Sequence, residues 1–241
     1  MLENINIETI LFLDIETAPL HASYDELSEK MQQLWNKKAK FFINDEQTPA
    51  EVYERAGIYS EFGKIICISV GTMYQNQGEW KCRVKSYAGH NEKDLLYGFV
   101  NMLENFSRRG GAVKLCAHNG QEFDYPYIAR RCLINGIKLP KILDIAGAKP
   151  WEVKDVLLDT LQLWKFGDYK HYTSLDLLCA VFEIPTPKDD IDGSEVAGVY
   201  YNDNDLDRIM KYCEKDVFAL AQLFLRYQGK PILPPDALES V

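Results

Sequence analysis

A chain of 241 residues, 46% hydrophobic and 26% charged, is long enough for a substantial core and has an ordinary globular composition. Its 36 acidic against 27 basic side chains leave a net charge of −9, which argues against broad electrostatic binding to nucleic acid or an anionic membrane. No apolar run approaches a membrane span, no basic and apolar leader opens the chain, and the six cysteines form no C-x-x-C pair. The expectation is a cytoplasmic protein with reduced thiols.

The first predicted element carries the most chemistry. Residues 10–13 are apolar and run straight into Asp14, Ile15, Glu16 and Thr17, the pattern of a buried strand whose end opens into a cleft. Side chains alternate along a strand, so Asp14 and Glu16 point the same way. Two such carboxylates resist ionising together, and a hard divalent cation relieves the conflict. Two acids in a solvated loop are the competing explanation.

Residues 19–57 are polar and helix-leaning, with Lys37, Lys38 and Lys40 near Phe41, Phe42 and Ile43. They are expected to form a helical insertion, either a flap over the cleft or a structural helix pair. Residues 64–73 are β-branched and apolar, a second strand, and Gln77-Gly78 turns the chain into a third over 80–87. Asn91 caps a helix striped by Leu95, Leu96, Phe99, Val100, Leu103 and Phe106, which Gly110-Gly111 ends. A strand over 112–117 stops at His118-Asn119-Gly120, and a helix follows from near Glu122 to the Asn135-Gly136 stop signal. Helical patterns then cover 159–166, 174–182 and 205–227, with a loop over 185–193 and a loosely held tail from 231 to 241. The order predicts an α/β fold with a mixed sheet, one domain over 1–230.

Two further acidic features stand out. Asp124 ends H-N-G-Q-E-F-D and falls in the first turn of its helix, where an anion is favoured in any case. Tyr212 and Asp216 lie four apart beside the apolar stripe of the last helix, so they share one face. An Asp bordering an inward stripe needs a basic partner or a cation. Glu214 and Lys215 project elsewhere, as solvated charges.

Together these pieces resemble one known family. F-L-D-I-E-T, Phe12 to Thr17, looks like the first motif of the DEDD 3′–5′ exonucleases, the DnaQ-like group built on a ribonuclease-H-like fold. N-G-Q-E-F-D, Asn119 to Asp124, matches the second motif in the form of the proofreading domains of family B DNA polymerases. Y-C-E-K-D, Tyr212 to Asp216, matches the third in its Y-x3-D form, and Lys211 stands where the other branch has His. The chain therefore resembles the DEDDy form over about residues 10–224. The resemblance implies a ribonuclease-H-like mixed five-stranded sheet flanked by α-helices, with the insertion between strands one and two. The residues beyond it leave no room for a polymerase domain, so a free-standing exonuclease or a subunit is expected.

It also implies the chemistry. Asp14, Glu16, Asp124, Tyr212 and Asp216 form the catalytic set of a metal-dependent 3′–5′ exonuclease releasing nucleoside 5′-monophosphates. Two divalent ions, Mg²⁺ or Mn²⁺, are expected as cofactors: Asp14 bridges them, Glu16 and Asp216 complete one site, and Asp124 supports the second. Tyr212 orients the attacking water, being too weak an acid for a general base. Thr17 follows the acidic pair and is a candidate for meeting the terminal nucleotide, while Asn119 and Phe123 either position the strand or hold the loop. Between Asp189 and Asp216 nine acids face three bases, which points to local contact with a 3′ end and away from a long tracking groove. The expected partners are single-stranded or frayed DNA, with RNA second, and a polymerase or repair protein. The alternatives are a catalytically silent binding module on the same fold and a metal-independent hydrolase with paired carboxylates.

Overall fold

The computed structural model describes residues 2–108, 113–168, 172–185 and 190–241, without the Pro150 side chain. In chain order the elements are β1 (Ile10–Pro19), α1 (Glu29–Ala39), β2 (Gly63–Asn76), β3 (Glu79–Ala88), α2 (Glu92–Arg108), β4 (Lys114–Ala117) and α3 (Asp124–Ile134). They continue with α4 (Pro150–Val153), β5 (Leu157–Asp159), α5 (Thr160–Lys165), α6 (Leu175–Val181), α7 (Val196–Gly198), α8 (Leu206–Tyr227) and β6 (Leu238–Ser240).

The sheet order is β5-β4-β1-β2-β3-β6. β1, β2 and β3 pair antiparallel, while β4, β5 and β6 join by parallel pairing, so the sheet is mixed. β1 lies inside it and is covered on both faces. Leu11, Leu13 and Ile15 pack with α2 and α3, and Ile10 and Phe12 pack under α8. Burial on two sides explains why this strand reads as a continuous apolar run. Alternation then turns Asp14 and Glu16 towards α8.

Just there the register slips. Glu16 opposes Cys67 but Thr17 opposes Ile65, so Ile66 is an extra residue on β2. Ile66 and Cys67 consequently both join the apolar cluster that includes Ile209, Tyr212 and Cys213 of α8. Such a bulge bends a strand end and re-aims its side chains, here beside the acidic pair.

α8 lies very close to β2 at Gly71, where an added Cβ meets Val217 Cγ1 at 2.6 Å. Gly71→Ala therefore forces the helix outward. It is expected to lower the unfolding free energy by about 1–3 kcal/mol, read from denaturant midpoints.

Three expectations change. The sheet has six strands, not five: the 231–241 segment is not a loose tail, because Leu238–Ser240 pairs with β3. The insertion holds a single α-helix, α1, with 3-10 turns around its own apolar cluster of Trp35, Tyr53 and Phe62. Trp35 is fully buried, and its indole N–H donates to the Pro49 carbonyl at 2.7 Å. Helix 159–166 starts one residue later, because Leu157–Asp159 pairs as β5. The glycine stop at 110–111, the first residue of the 112–117 strand, His171, and 186–189 of the 185–193 loop lie outside the described residues. Among the described residues no helix is long and apolar enough to cross a membrane.

Candidate active site

The end of β1, the start of α3 and the middle of α8 meet around a cleft of about 400 Å³ lined by Asp14, Glu16, Thr17, Asn119, Phe123, Asp124, Tyr212 and Asp216. All eight residues singled out in the sequence are thus in one place. Ligand atoms of Asp14, Glu16 and Cys213 lie within 4.8 Å of one another. The Cys213 thiol approaches Asp14 Oδ2 at 3.4 Å and the Asp14 carbonyl at 3.5 Å. Asp124 and Asp216 stand in the same cleft outside that tightest trio, and the thiol is a neighbour that the motif pattern does not announce.

The loop before α3 is fixed from behind. Asn119 has φ 63°, a left-handed conformation that Asn tolerates better than most residues. Gly120 has no alternative, since an added Cβ falls 2.5 Å from the Ala117 Cβ. Asp159, buried at the end of β5, accepts the backbone N–H of Asn119 at 2.9 Å and of Gln121 at 3.1 Å. The same carboxylate caps α5 through the N–H groups of Leu161 and Gln162. His118 Nε2 lies 2.8 Å from the Thr173 carbonyl and so carries the proton, leaving Nδ1 to accept from the Thr160 hydroxyl at 2.9 Å. Burial lowers its pKa, and both ring nitrogens are committed, so His118 holds the strand end and is not a free base.

The electrostatics are lopsided. Among the described lining residues are five carboxylates, Asp14, Glu16, Asp124, Asp176 and Asp216, and no Lys or Arg. Burial first, and then the Asp216 and Asp124 charges, raise Asp14 well above the usual carboxylate range. Glu16 is raised by burial and then by Asp14. Asp124 is pushed up to about 8, chiefly by burial. The Tyr212 phenol is raised by burial and by Asp216, to which it is hydrogen-bonded. Asp124 Oδ1 and Asn119 Oδ1 are buried with no hydrogen-bond partner. Buried oxygen acceptors without donors are costly, and an oxygen-rich set of this kind fits hard divalent cations.

Thr17 lines the cleft, and its hydroxyl is bonded to the Tyr127 phenol, which donates to the Gly57 carbonyl at 2.8 Å. Phe123 is half-buried and packs on Tyr127, with ring centroids 5.4 Å apart. Tyr125 and Tyr127 are core residues, and Trp164 packs on Phe182 and Tyr227, so none of the three is free to stack on a base. Sequence reasoning missed Ile58, Tyr172, Ser174 and Leu175, which complete the cleft wall. Tyr172 is 62% exposed and Ile58 49%, and Ile58 reaches the cleft from the β1–β2 connection, one residue past the expected insertion. Ser174 carries a signal only as the N-cap of α6.

The result is an α/β fold with a carboxylate-lined cleft at the end of its inner strand. The chain belongs to the family described as "Predicted 3′-5′ exonuclease related to the exonuclease domain of PolB", which matches residues 58–230. That match takes in Asn119, Phe123, Asp124, Tyr212 and Asp216 and begins after β1. The structure is also similar to that of the family B DNA polymerase from the hyperthermophilic archaeon Pyrobaculum calidifontis, with a TM-score of 0.52 and 15% identity. The similarity covers 91% of this chain and 24% of the polymerase, so the chain spans about a quarter of that protein. The fold is accordingly the ribonuclease-H-like α/β fold of such exonuclease domains.

Proposed function

We propose that the chain is a metal-dependent 3′–5′ exonuclease of the DEDDy form, acting on single-stranded or frayed DNA ends. The observation that carries this reading is the convergence of four motif acids and Tyr212 on one cleft with no Lys or Arg among its described lining. A phosphodiester cannot approach five carboxylates unless their charge is offset. Asp14, Glu16, Asp124 and Asp216 would hold two divalent cations, Mg²⁺ or Mn²⁺, and these would neutralise the phosphate and make bound water acidic enough to attack.

The remaining steps fall to the side chains. Tyr212 keeps its proton at neutral pH, so its hydroxyl acts as an orienting group for the attacking water and not as the base. Phe123 and Tyr172 offer faces against which the terminal base can stack. The partnerless Asn119 Oδ1 offers an acceptor to a donor on the terminal nucleotide. A cleft of about 400 Å³ sits near the low end of ligand sites, roughly 300–1,000 Å³, and suits one terminal nucleotide better than a duplex. In this proposal residues 1–230, completed by β6 at Leu238–Ser240, act as one exonuclease domain, in the cytoplasm, with all six cysteines buried and reduced. A polymerase or repair protein would supply the frayed ends.

The test uses 5′-labelled single strands of DNA and RNA with Mg²⁺, Mn²⁺ or EDTA. A ladder shrinking from the 3′ end that needs metal supports the proposal, and the faster polymer names the substrate. Strand binding without degradation under any metal sinks it in favour of a silent binding module. Tyr212→Phe removes one hydrogen bond to a charged partner, about 1.5–3 kcal/mol, so the rate should fall about 10- to 100-fold with strand affinity unchanged.

A further inference from the structure

A row of polar side chains runs across the sheet beneath α8 and ends on Asp14. Asp14 is the cross-strand partner of Ser69 on β2, and Ser69 is the partner of Ser86 on β3. Directly opposite residues face the same side, so all three look towards α8. Ser69 is fully buried and bonds Ser86 at 2.8 Å, and Ser86 donates to Glu214 Oε1 at 2.8 Å. Ser240 on β6 donates to the other oxygen of Glu214, also at 2.8 Å. On the inner side Ser69 contacts the Cys67 thiol at 3.7 Å, the Cys67 and Cys213 thiols are hydrogen-bonded, and Cys213 reaches Asp14 Oδ2 at 3.4 Å. Glu214 is therefore not the solvated charge its sequence position indicates.

We infer that this row is a positioning device: Glu214, anchored to β3 and β6, sets the register of α8 over the sheet and thereby the placement of Tyr212 and Asp216 against Asp14. The inference rests on the exonuclease reading only for its kinetic part. Apolar contacts such as Val217 on Gly71 fix how close α8 lies, but they are non-directional and resist sliding or rotation weakly. Hydrogen bonds are directional, and this row runs from the fully buried Ser69 through the partly buried Ser86 and Glu214 to the exposed Ser240. Breaking its inner bonds leaves a polar group short of a partner, so the row favours a single register. Glu214 sits two residues from both Tyr212 and Asp216, so a small turn of the helix moves both. β6 thus becomes part of the active-site scaffold, and Glu214, Ser86 and Ser240 are positioning residues that touch neither substrate nor metal.

The experiment measures Mn²⁺ binding by electron paramagnetic resonance without nucleic acid, alongside kcat and KM on a labelled strand and the melting temperature. Glu214→Ala should weaken Mn²⁺ binding about 3- to 10-fold and lower kcat with KM unchanged. Glu214→Gln, which keeps an acceptor oxygen, should restore most of both. Ser240→Ala, a milder surface variant should Glu214→Ala fail to fold, should shift Mn²⁺ binding about two-fold in the same direction. Variants that melt earlier yet bind Mn²⁺ as tightly as wild type, or a Glu214→Gln no better than Glu214→Ala, overturn the positioning role. A wild type that binds Mn²⁺ but degrades nothing overturns the exonuclease proposal alone, because the binding comparison still decides this one.

Discussion

Asp14→Asn is expected to cut metal-dependent degradation about a thousand-fold while leaving the chain folded and able to bind a single strand. Asp14 sits at the meeting point of the cleft: its ligand atoms neighbour those of Glu16 and Cys213, and its pKa responds to both Asp216 and Asp124. Removing that charge removes the group best placed to be shared between two cations. A lost Lewis-acid contribution of several kcal/mol, at 1.36 kcal/mol per tenfold, is about three orders of magnitude. Single-turnover degradation of a 5′-labelled strand gives the rate, and a gel shift gives the binding. A variant within ten-fold of wild type would move the chemistry away from this cleft.

The same substitution has the opposite effect on stability, and the sign follows from the raised pKa values. A carboxyl whose folded pKa lies above its unfolded value, about 4, stays protonated in the folded chain after the unfolded chain has ionised. Below about pH 4 neither state carries the charge and the group is neutral to stability. As pH rises towards the folded value, about 8 for Asp124, the unfolded state gains relative stability. Metal-free wild type should therefore melt at progressively lower temperature between about pH 4 and 8, and added Mg²⁺ should reverse the fall. Asp14→Asn should flatten the slope, because it removes one buried titrating carboxyl and, with it, its repulsion of the others. Comparing the two chains also cancels the exposed acids Glu51, Asp190 and Glu239, whose lowered pKa values act with the other sign. Melting curves in EDTA across this range decide it; parallel slopes would mean that the Asp14 carboxyl is neither buried nor repelled as placed.

The parts of the site legible in the sequence share one property: a polar group stands where an apolar pattern forbids it. Asp14 and Glu16 interrupt a core strand, and Tyr212 and Asp216 border an inward stripe, so local pattern alone marks them as needing a partner. Asp159 escaped because an Asp opening a short helix looks like an ordinary N-cap, which it also is. Its second task, holding the Asn119 loop, depends on β5 lying beside β4. β5 and β6 are three residues each, too short to establish a period. Ile58 and Glu214 were invisible for a related reason: what each faces comes from distant chain, and nothing nearby in sequence reports it. Motifs thus reveal the candidate catalytic groups, whereas the groups that hold them in place depend on tertiary neighbours.

The clearest case of aiming from a distance is the Glu92–Arg131 pair, and Arg131→Met should cost about 3–5 kcal/mol. Both side chains are almost fully buried, and the contact is two-pronged: Arg131 Nε to Glu92 Oε1 at 2.8 Å and Nη2 to Oε2 at 2.5 Å. Glu92 also accepts from the Ile65 backbone N–H at 2.7 Å and from Asn135 at 2.9 Å, while Arg131 Nη1 donates to the Ser60 carbonyl at 2.9 Å. Truncating the arginine leaves a buried carboxylate with two neutral donors and frees the Ser60 carbonyl. The double variant E92Q/R131M should recover most of the loss, since its neutral amide still accepts from Ile65 and no unpaired charge remains. Denaturant titration of the four-member cycle measures this, and a single-variant cost below about 1 kcal/mol would mean the pair is open to water. The functional consequence runs through the β1–β2 connection. The Arg131 bond to Ser60 and the Tyr127 bond to Gly57 bracket Ile58, so loosening one anchor lets the exposed Ile58 drift from the cleft wall. R131M should therefore raise KM for a single strand several-fold at temperatures where it is fully folded, with kcat nearly unchanged, because Asp14, Tyr212 and Asp216 rest on β1 and α8 and not on this pair.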